Sequence, residues 1–240
     1  MQKMITYDTL RSFTYSNDHS ITGEVKGIII DFFGLGGCPN MIQKEHVGDS
    51  AYWAERGVIF IMPYYNPWCW MNDQAVRYTD EIIDVLVEHY GLGDDVKIVS
   101  SGGSMGGLGA LTYCVYAART PVACVANCPV CDLPYHFTER EDLPRTLYGA
   151  FYNLDGTLDD ALKSRSPIHL VDRMPNIPYT VLHATLDEAV NKAMHSDRFV
   201  TEMKKRHNVT YIEVAHRGHC SLSIEARAAQ REAILSAFAD

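Results

Sequence analysis

The segment VKIVSSGGSMGGLGALTYC, from Val96 to Cys114, decides the fold. Its apolar, β-branched start, Val96 to Ser100, predicts a buried strand, and its end begins a helix predicted from Gly106 to Arg119. Ser104 lies between them, in the pentapeptide Gly102-Gly103-Ser104-Met105-Gly106. A serine on a sharp turn from strand to helix needs glycines two positions away on either side, because neighbouring chains pass very close to it. The stretch therefore predicts a hydroxyl raised above the end of a strand, beside the N-terminus of a helix.

Strands and helices alternate along the rest of the chain. Strands are predicted at Gly27 to Phe32, Val58 to Met62, Val96 to Ser100, Val122 to Ala126, Tyr179 to His183 and Val209 to Val214. Helices are predicted at Asp73 to Tyr90, Gly106 to Arg119, Asn191 to His207 and Glu225 to Phe238. Most of the strands are apolar throughout, which is typical of a parallel sheet covered by helices on both faces. We therefore predict a single α/β domain over residues 1–240, with one or two antiparallel edge strands between Met1 and Glu24.

Composition narrows the class of function. The 240 residues are 47% hydrophobic and 21% charged, close to the average of soluble globular proteins. The net charge is −9 and the basic residues are scattered, so we expect no nucleic-acid binding. No apolar run approaches the roughly 18 residues of a membrane span, and Met1 to Arg11 lacks the features of a secretory signal. A cytoplasmic protein without a membrane span is expected.

The seven cysteines are an odd number and are spread through the chain, several of them within apolar segments. We predict that they are mostly reduced and buried as small hydrophobic residues. Cys124, Cys128 and Cys131 are the closest set, but no fourth ligand follows at zinc-finger spacing. No metal is therefore predicted.

A phosphate-binding turn is the alternative for the glycine-rich segment around Ser104. That segment has glycines at 102, 103, 106, 107 and 109. It lacks the lysine of a P-loop, and no convincing acidic residue follows to bind a ribose. The strand before Ser104 and the helix after it favour a nucleophile instead.

With Ser104 in this context, the chain resembles the α/β-hydrolase superfamily, and within it the esterases related to the catalytic domain of prolyl oligopeptidase. The similarity runs from about Gly27 to the C-terminus. It implies a mostly parallel sheet of about eight strands, with a triad of serine, acid and histidine in that order along the chain. Pro129 to Pro178 then resembles an inserted cap or lid, and an ordinary helical connection with buried aromatic residues is the alternative.

The stretch HATLDEAV, from His183 to Val190, is similar to the family's H-G-x-x-D-x-x-V, with alanine where glycine is usual. The resemblance makes Asp187 the acid that orients the imidazole and stabilises its cation. Glu188 and, more distantly, Asp197 are the alternatives. Asp187 also fits the position of a helix N-cap.

The base follows the last predicted strand, in the stretch AHRGHC from Ala215 to Cys220. His219 is predicted, because a glycine directly before the base is the family's pattern. His216 lies in the same short loop and is the alternative.

The oxyanion hole is expected after the first long strand, where IIIDFFGLGG resembles the family's H-G-x-G-G with Phe33 in place of histidine. The resemblance implies that the backbone N–H groups of Leu35 and Met105 bind the oxyanion. Whether Gly34 or Leu35 points inward is open, and a plain glycine-rich turn is the alternative.

These residues predict acyl transfer through an acyl-enzyme, with no cofactor. The expected substrate is a small ester with a short acyl group, such as an acetyl group on a carbohydrate. The predicted contacts are Phe33, Gly34 and Tyr135, with Trp68 and Trp70 of the loop Tyr64 to Trp70 either forming an apolar wall or covering the core.

Two other functions stay open. The related peptidases carry a large N-terminal propeller, for which this chain has no room, so a peptide or aminoacyl substrate is the second expectation. An inactive hydrolase fold used as a binding module is the third. The oligomeric state is open, and a homodimer is one possibility.

Overall fold

Seven strands form one sheet in the computed structural model, which describes residues 5–37, 47–152 and 156–239. Their bounds are β1 (Thr14–Ser16), β2 (Gly27–Phe32), β3 (Val58–Pro63), β4 (Ile98–Gly103), β5 (Ala123–Asn127), β6 (Tyr179–Ala184) and β7 (Val209–Val214). The strand order is β1-β3-β2-β4-β5-β6-β7. β1 pairs with β3 in the antiparallel direction, and all other neighbours are parallel. The prediction of a mostly parallel α/β sheet is confirmed.

Eight α-helices lie in the described ranges: α1 (Ser50–Ala54), α2 (Asp73–Tyr90), α3 (Met105–Tyr116), α4 (Leu133–His136), α5 (Leu143–Phe151), α6 (Leu158–Arg165), α7 (Arg198–Met203) and α8 (Ile224–Leu235). Two separate apolar clusters fill the two sides of the sheet. In β2, Ile28 and Ile30 belong to one cluster and Ile29 belongs to the other. This two-sided burial explains why the strand sequence is apolar at consecutive positions. None of the helices in the described part of the chain is long and apolar enough to cross a membrane.

The described residues contain one strand fewer than the eight that the resemblance implied. After β1, the side chain of Asn17 accepts a hydrogen bond from the Phe60 N–H at 2.7 Å and donates one to the Val58 carbonyl at 3.2 Å. A 3-10 turn, Asp18–Ser20, follows directly. The Asn17 side chain thus binds backbone groups of β3 where a longer β1 would continue. Between residue 5 and Glu24, the chain contributes a single edge strand.

The helix predicted from Asn191 to His207 is shorter and less regular than expected. It begins with a π-helical turn, Ala193–Asp197, and continues as α7 only to Met203. The wider turn carries two fully buried polar residues, His195 and Ser196. The Ser196 hydroxyl lies 2.6 Å from Nδ1 of His183 in β6, so this turn serves the packing against the sheet.

The connection from Pro129 to Pro178 contains α4, α5, α6 and two 3-10 turns. A buried hydrogen-bonded cluster joins it to the turn before α7: Glu139 binds both His136 and His195. Six of the predicted elements, β2, β3, β5, β6, β7 and α2, keep their expected bounds to within one residue. The helix α2 ends at Tyr90, as predicted, and is followed by Gly91, whose φ of 62° is left-handed.

Candidate active site

Ser104 occupies a strained turn between β4 and α3. Its φ is 61° and its ψ is −124°, a conformation that residues with side chains rarely adopt. A Cβ placed on Gly106 would lie 1.9 Å from the Phe32 carbonyl oxygen, and one on Gly102 would lie 2.3 Å from the Gly106 oxygen. The backbone of β2 therefore passes directly against the start of α3, and the two glycines permit this approach as the sequence predicts.

The backbone on either side of Ser104 is fixed, whereas its hydroxyl is available. The Ser104 N–H donates to the Asn127 carbonyl at 3.0 Å, and its carbonyl accepts from the Leu108 N–H at 3.1 Å. Its side chain is half-buried and makes no hydrogen bond with any residue that the structure describes. A hydroxyl held in this way can face a substrate.

Asp187 follows β6 and its carboxylate is fully buried. Oδ2 accepts a hydrogen bond from Nδ1 of His219 at 2.7 Å, and Oδ1 accepts from the N–H groups of Ala189 and Val190 at 2.9 and 3.0 Å. Burial acts to raise the pKa of this carboxyl, but hydrogen bonds from His183 and His219 outweigh it and lower the pKa. Asp187 is therefore ionised and also caps a turn with its second oxygen.

His219 lies in the loop after β7, and its side chain is 28% exposed. Burial lowers its pKa, but hydrogen bonds to Asp187 and Cys128 raise it to about 9.

The three alternative residues are placed differently, and Asp197 accepts hydrogen bonds from Lys192 at 2.8 Å and Tyr211 at 2.7 Å. His216 and Glu188 are both exposed and make no side-chain hydrogen bond in the described part of the chain. The structure thus brings Asp187 and His219 together and leaves His216 and Glu188 in solvent.

Two thiols that sequence analysis did not select lie beside this pair. The Cys220 sulfur is 3.6 Å from Nε2 of His219, and a Cβ placed on Gly103, the residue before Ser104, would lie 3.2 Å from the same sulfur. The Cys128 sulfur accepts hydrogen bonds from the N–H groups of Cys220 at 3.3 Å and Ala184 at 3.4 Å. Cys220 follows His219 directly and Cys128 follows β5 directly, which is the only signal of their position in the sequence.

The hydrogen bond from Cys220 lowers the pKa of Cys128, with burial opposing it and His219 adding to it. The pKa of Cys220 is raised in turn, first by its bond to Cys128. Cys128 is therefore the thiol that ionises more readily, and it lies next to the imidazole.

The loop after β2 lies against Ser104. A Cβ on Gly34 would be 3.5 Å from the Ser104 Cβ. Leu35 is half-buried, and its N–H makes no hydrogen bond with the described residues. Met105 is the first residue of α3, where N–H groups lack intrahelical partners. Phe33 packs on Tyr65 with ring centroids 4.8 Å apart, so this loop is held in place from behind.

The predicted substrate-contact aromatics occupy different environments. Trp70 is 1% exposed and donates its indole N–H to the Thr146 hydroxyl at 3.1 Å, so it covers the core. Trp68 is 45% exposed and lines a cleft of about 590 Å³ together with residues of α2 and α5, and the three predicted triad residues do not line it. Tyr135 is half-buried, with its ring centroid 5.6 Å from that of His195.

The six cysteines in the described ranges are reduced, and five of them are buried, as predicted; Cys38 lies outside those ranges.

The sequence itself matches a family model: residues 71–240, well over half of the chain, match the prolyl oligopeptidase family. Curated protein sequences give no match.

Several solved structures share the fold. Puromycin hydrolase is 18% identical with a TM-score of 0.68, over 90% of this chain and 34% of that one. Esterase 2 of Thermogutta terrifontis is 19% identical with a TM-score of 0.61, over 94% of this chain and 85% of the esterase. S-formylglutathione hydrolase of Agrobacterium tumefaciens is 16% identical with a TM-score of 0.66, over 93% and 87%.

This chain spans about a third of the length of puromycin hydrolase and most of the length of the two smaller enzymes. All three likenesses concern the sheet and its helices. The family match over residues 71–240 shows that the chain belongs to the prolyl oligopeptidase family, and the likenesses show that it has the α/β-hydrolase fold.

Proposed function

We propose that Ser104, His219 and Asp187 form the catalytic triad of an esterase that cleaves small carboxylic esters. The observation that carries this proposal is the 2.7 Å hydrogen bond between Asp187 and His219. These two residues follow the carboxyl ends of parallel strands of the sheet, as Ser104 does. The Cys220 sulfur lies 3.6 Å from Nε2 of His219 and close to Gly103, which precedes Ser104, and this supports the placement of the imidazole near the serine.

Acyl transfer follows from these positions. Nε2 of His219 takes the hydroxyl proton as Ser104 Oγ attacks the ester carbonyl, and Asp187 stabilises the imidazolium that forms. The imidazolium then protonates the leaving alcohol as the carbon–oxygen bond breaks. Water attacks the acyl-enzyme by the same route and releases the acid.

The oxyanion needs two donors, and the proposal assigns them to the N–H groups of Leu35 and Met105. Gly34 lies against Ser104, which brings the neighbouring backbone to the nucleophile. Loss of one such donor lowers turnover by about 100-fold to 1000-fold in related chemistry.

Substrate binding brings Nε2 of His219 within hydrogen-bond distance of the Ser104 hydroxyl in the proposed mechanism. In the structure, Nε2 faces the Cys220 sulfur at 3.6 Å, and the Ser104 hydroxyl makes no hydrogen bond with the described residues. Catalytic hydrogen bonds are often long before substrate binds and tighten in the complex. A small rotation of the ring, pivoting on its bond to Asp187, supplies that change.

A short acyl group is favoured because two similar structures matched over most of their length are named an esterase and an S-formylglutathione hydrolase. A peptide or aminoacyl amide is the second candidate, since the matching family is that of prolyl oligopeptidase and one similar structure is puromycin hydrolase.

Turnover of p-nitrophenyl esters of increasing chain length tests the first candidate against aminoacyl naphthylamides. We expect turnover to be highest for acetyl and to fall with length. The variant Ser104→Ala, folded by circular dichroism, should lose roughly a millionfold in kcat, whereas Ser221→Ala, in the exposed part of the His219 loop, should not. Ester turnover retained by Ser104→Ala contradicts the assignment, and naphthylamide turnover without ester turnover favours the peptidase.

A further inference from the structure

Three metal-binding atoms converge beside the proposed base. The Cys128 sulfur, the Cys220 sulfur and Nε2 of His219 all lie within 4.8 Å of one another. Two of these, Nε2 and the Cys220 sulfur, are 3.6 Å apart. With zinc–nitrogen and zinc–sulfur bonds of about 2.0 and 2.3 Å at a tetrahedral angle, the two ligand atoms stand about 3.5 Å apart. The observed distance of 3.6 Å is close to the one that a shared zinc ion requires.

The imidazole presents the correct nitrogen. Its Nδ1 proton is engaged by Asp187, so Nε2 carries the lone pair when the ring is neutral. A carboxylate behind a histidine is the usual support of a zinc ligand, since it fixes the ring and makes the coordinating nitrogen more basic.

The Cys128 sulfur is prepared as a thiolate. Two backbone N–H groups, from Cys220 and Ala184, point at it from 3.3 and 3.4 Å. Because backbone N–H groups carry partial positive charge, this arrangement favours the anionic sulfur that coordinates a metal. Both Cys128 and Cys220 also have left-handed backbone angles, with φ of 46° and 55°.

Another group of possible ligands in the described residues lacks a free lone pair on its histidine nitrogen. His136, Glu139 and His195 also bring ligand atoms within 4.8 Å of one another. However, Nδ1 of His195 accepts hydrogen bonds from the N–H groups of Cys131 and Asp132 at 3.1 and 3.2 Å. Its Nε2 therefore carries the proton that is donated to Glu139, and no free lone pair faces the centre of that cluster.

We propose that the chain binds one zinc ion at Cys128, Cys220 and His219, and that the bound ion reversibly inhibits the hydrolase. Two thiolates and one imidazole suit Zn²⁺ and disfavour Mg²⁺ and Ca²⁺, which prefer oxygen ligands. Binding displaces the remaining thiol and imidazole protons to solvent, and water takes the fourth position. His219 and Cys220 are partly exposed, which leaves that position open.

Inhibition follows from competition for one lone pair. Nε2 cannot coordinate zinc and accept the Ser104 proton at the same time, so the fraction of zinc-bound protein equals the fraction inhibited. This consequence rests on the proposed triad, whereas zinc binding itself does not.

Cobalt(II) in place of zinc, added to chelator-treated full-length protein under anaerobic conditions, tests the binding site. We expect one equivalent to bind and to give the near-ultraviolet charge-transfer band of thiolate-to-cobalt bonds, which added zinc abolishes. Cys220→Ser and Cys128→Ser should each lose intensity in this band. Cys114→Ser, which changes a buried cysteine of α3 and keeps a donor for the Ala110 carbonyl, should leave it unchanged.

Asp187→Asn should weaken zinc binding by roughly 10- to 100-fold, because it removes the support of the ligand histidine. Because Cys128 is fully buried, the partly exposed Cys220 gives a second variant if Cys128→Ser fails to fold. Absence of the charge-transfer band, or a band unchanged in Cys220→Ser, overturns the proposal. A normal band in a protein without hydrolase activity upholds the zinc site and contradicts the proposed function alone.

Discussion

Replacing Asp187 with asparagine tests how the structure sets the protonation of His219. Oδ1 of Asp187 accepts from two backbone N–H groups, those of Ala189 and Val190, and Oδ2 faces Nδ1 of His219 at 2.7 Å. Only the carbonyl oxygen of an asparagine satisfies the two backbone donors. The amide nitrogen is then directed at the imidazole, since the reverse orientation leaves both donors unpaired, at roughly 1–3 kcal/mol each.

An amide nitrogen donates where the carboxylate accepts. Nδ1 of His219 must then accept the hydrogen bond, so the ring proton moves to Nε2, which can no longer take the Ser104 proton. A triad with the wrong tautomer loses about 10,000-fold in kcat, or about 5.4 kcal/mol at 1.36 kcal/mol per tenfold. Folding should be weakened but not abolished, because the two backbone hydrogen bonds are kept whereas those from His183 and His219 to the carboxylate are lost.

The assay compares kcat for p-nitrophenyl acetate, together with the thermal unfolding midpoint, in wild type, Asp187→Asn and Glu188→Gln. Glu188 is the exposed neighbouring acid, so its variant should keep wild-type kcat. If Asp187→Asn stays folded and keeps kcat within about tenfold of wild type, the tautomer argument is refuted.

Two further perturbations follow from the packing. Gly106→Ala places a Cβ 1.9 Å from the Phe32 carbonyl and should cost roughly 1–3 kcal/mol in urea unfolding, whereas Gly149→Ala, with nothing within 4 Å, should cost none; equal stability of the two variants contradicts the packing. Burial acts to raise the pKa of Glu139, but hydrogen bonds with His136 and His195 outweigh burial and lower this pKa from 4.5 to about 2. A carboxyl whose pKa is lowered by folding adds stability above about pH 4.5 and loses it as pH falls toward 2. Glu139→Gln should therefore destabilise by roughly 1–3 kcal/mol at pH 7 and by less at pH 3, and a pH-independent difference contradicts this origin.

Local patterns predict the elements well because the information lies within each element. The bounds of β2, β7 and α2 are those expected, since apolar runs and the left-handed Gly91 report burial and termination directly. The pairing of Asp187 with His219 spans 32 residues and follows from the family's order of triad residues.

Features that depend on strand order are not contained in such patterns. Cys128 and Cys220 are 92 residues apart and meet only because β5, β6 and β7 are consecutive in the sheet. Trp70 is buried through a bond to Thr146, 76 residues away. The aromatic residues of the loop from Tyr64 to Trp70 do not reveal from the sequence alone that Trp70 is buried and Trp68 exposed.

The central claim, that Ser104 is an activated nucleophile, is tested most directly by reaction with a fluorophosphonate and mass spectrometry of the labelled protein. The account predicts one adduct, on Ser104 within the tryptic peptide of residues 98–119, and its loss in Ser104→Ala. A folded protein that takes up no label, or that carries the label on another residue, contradicts the account.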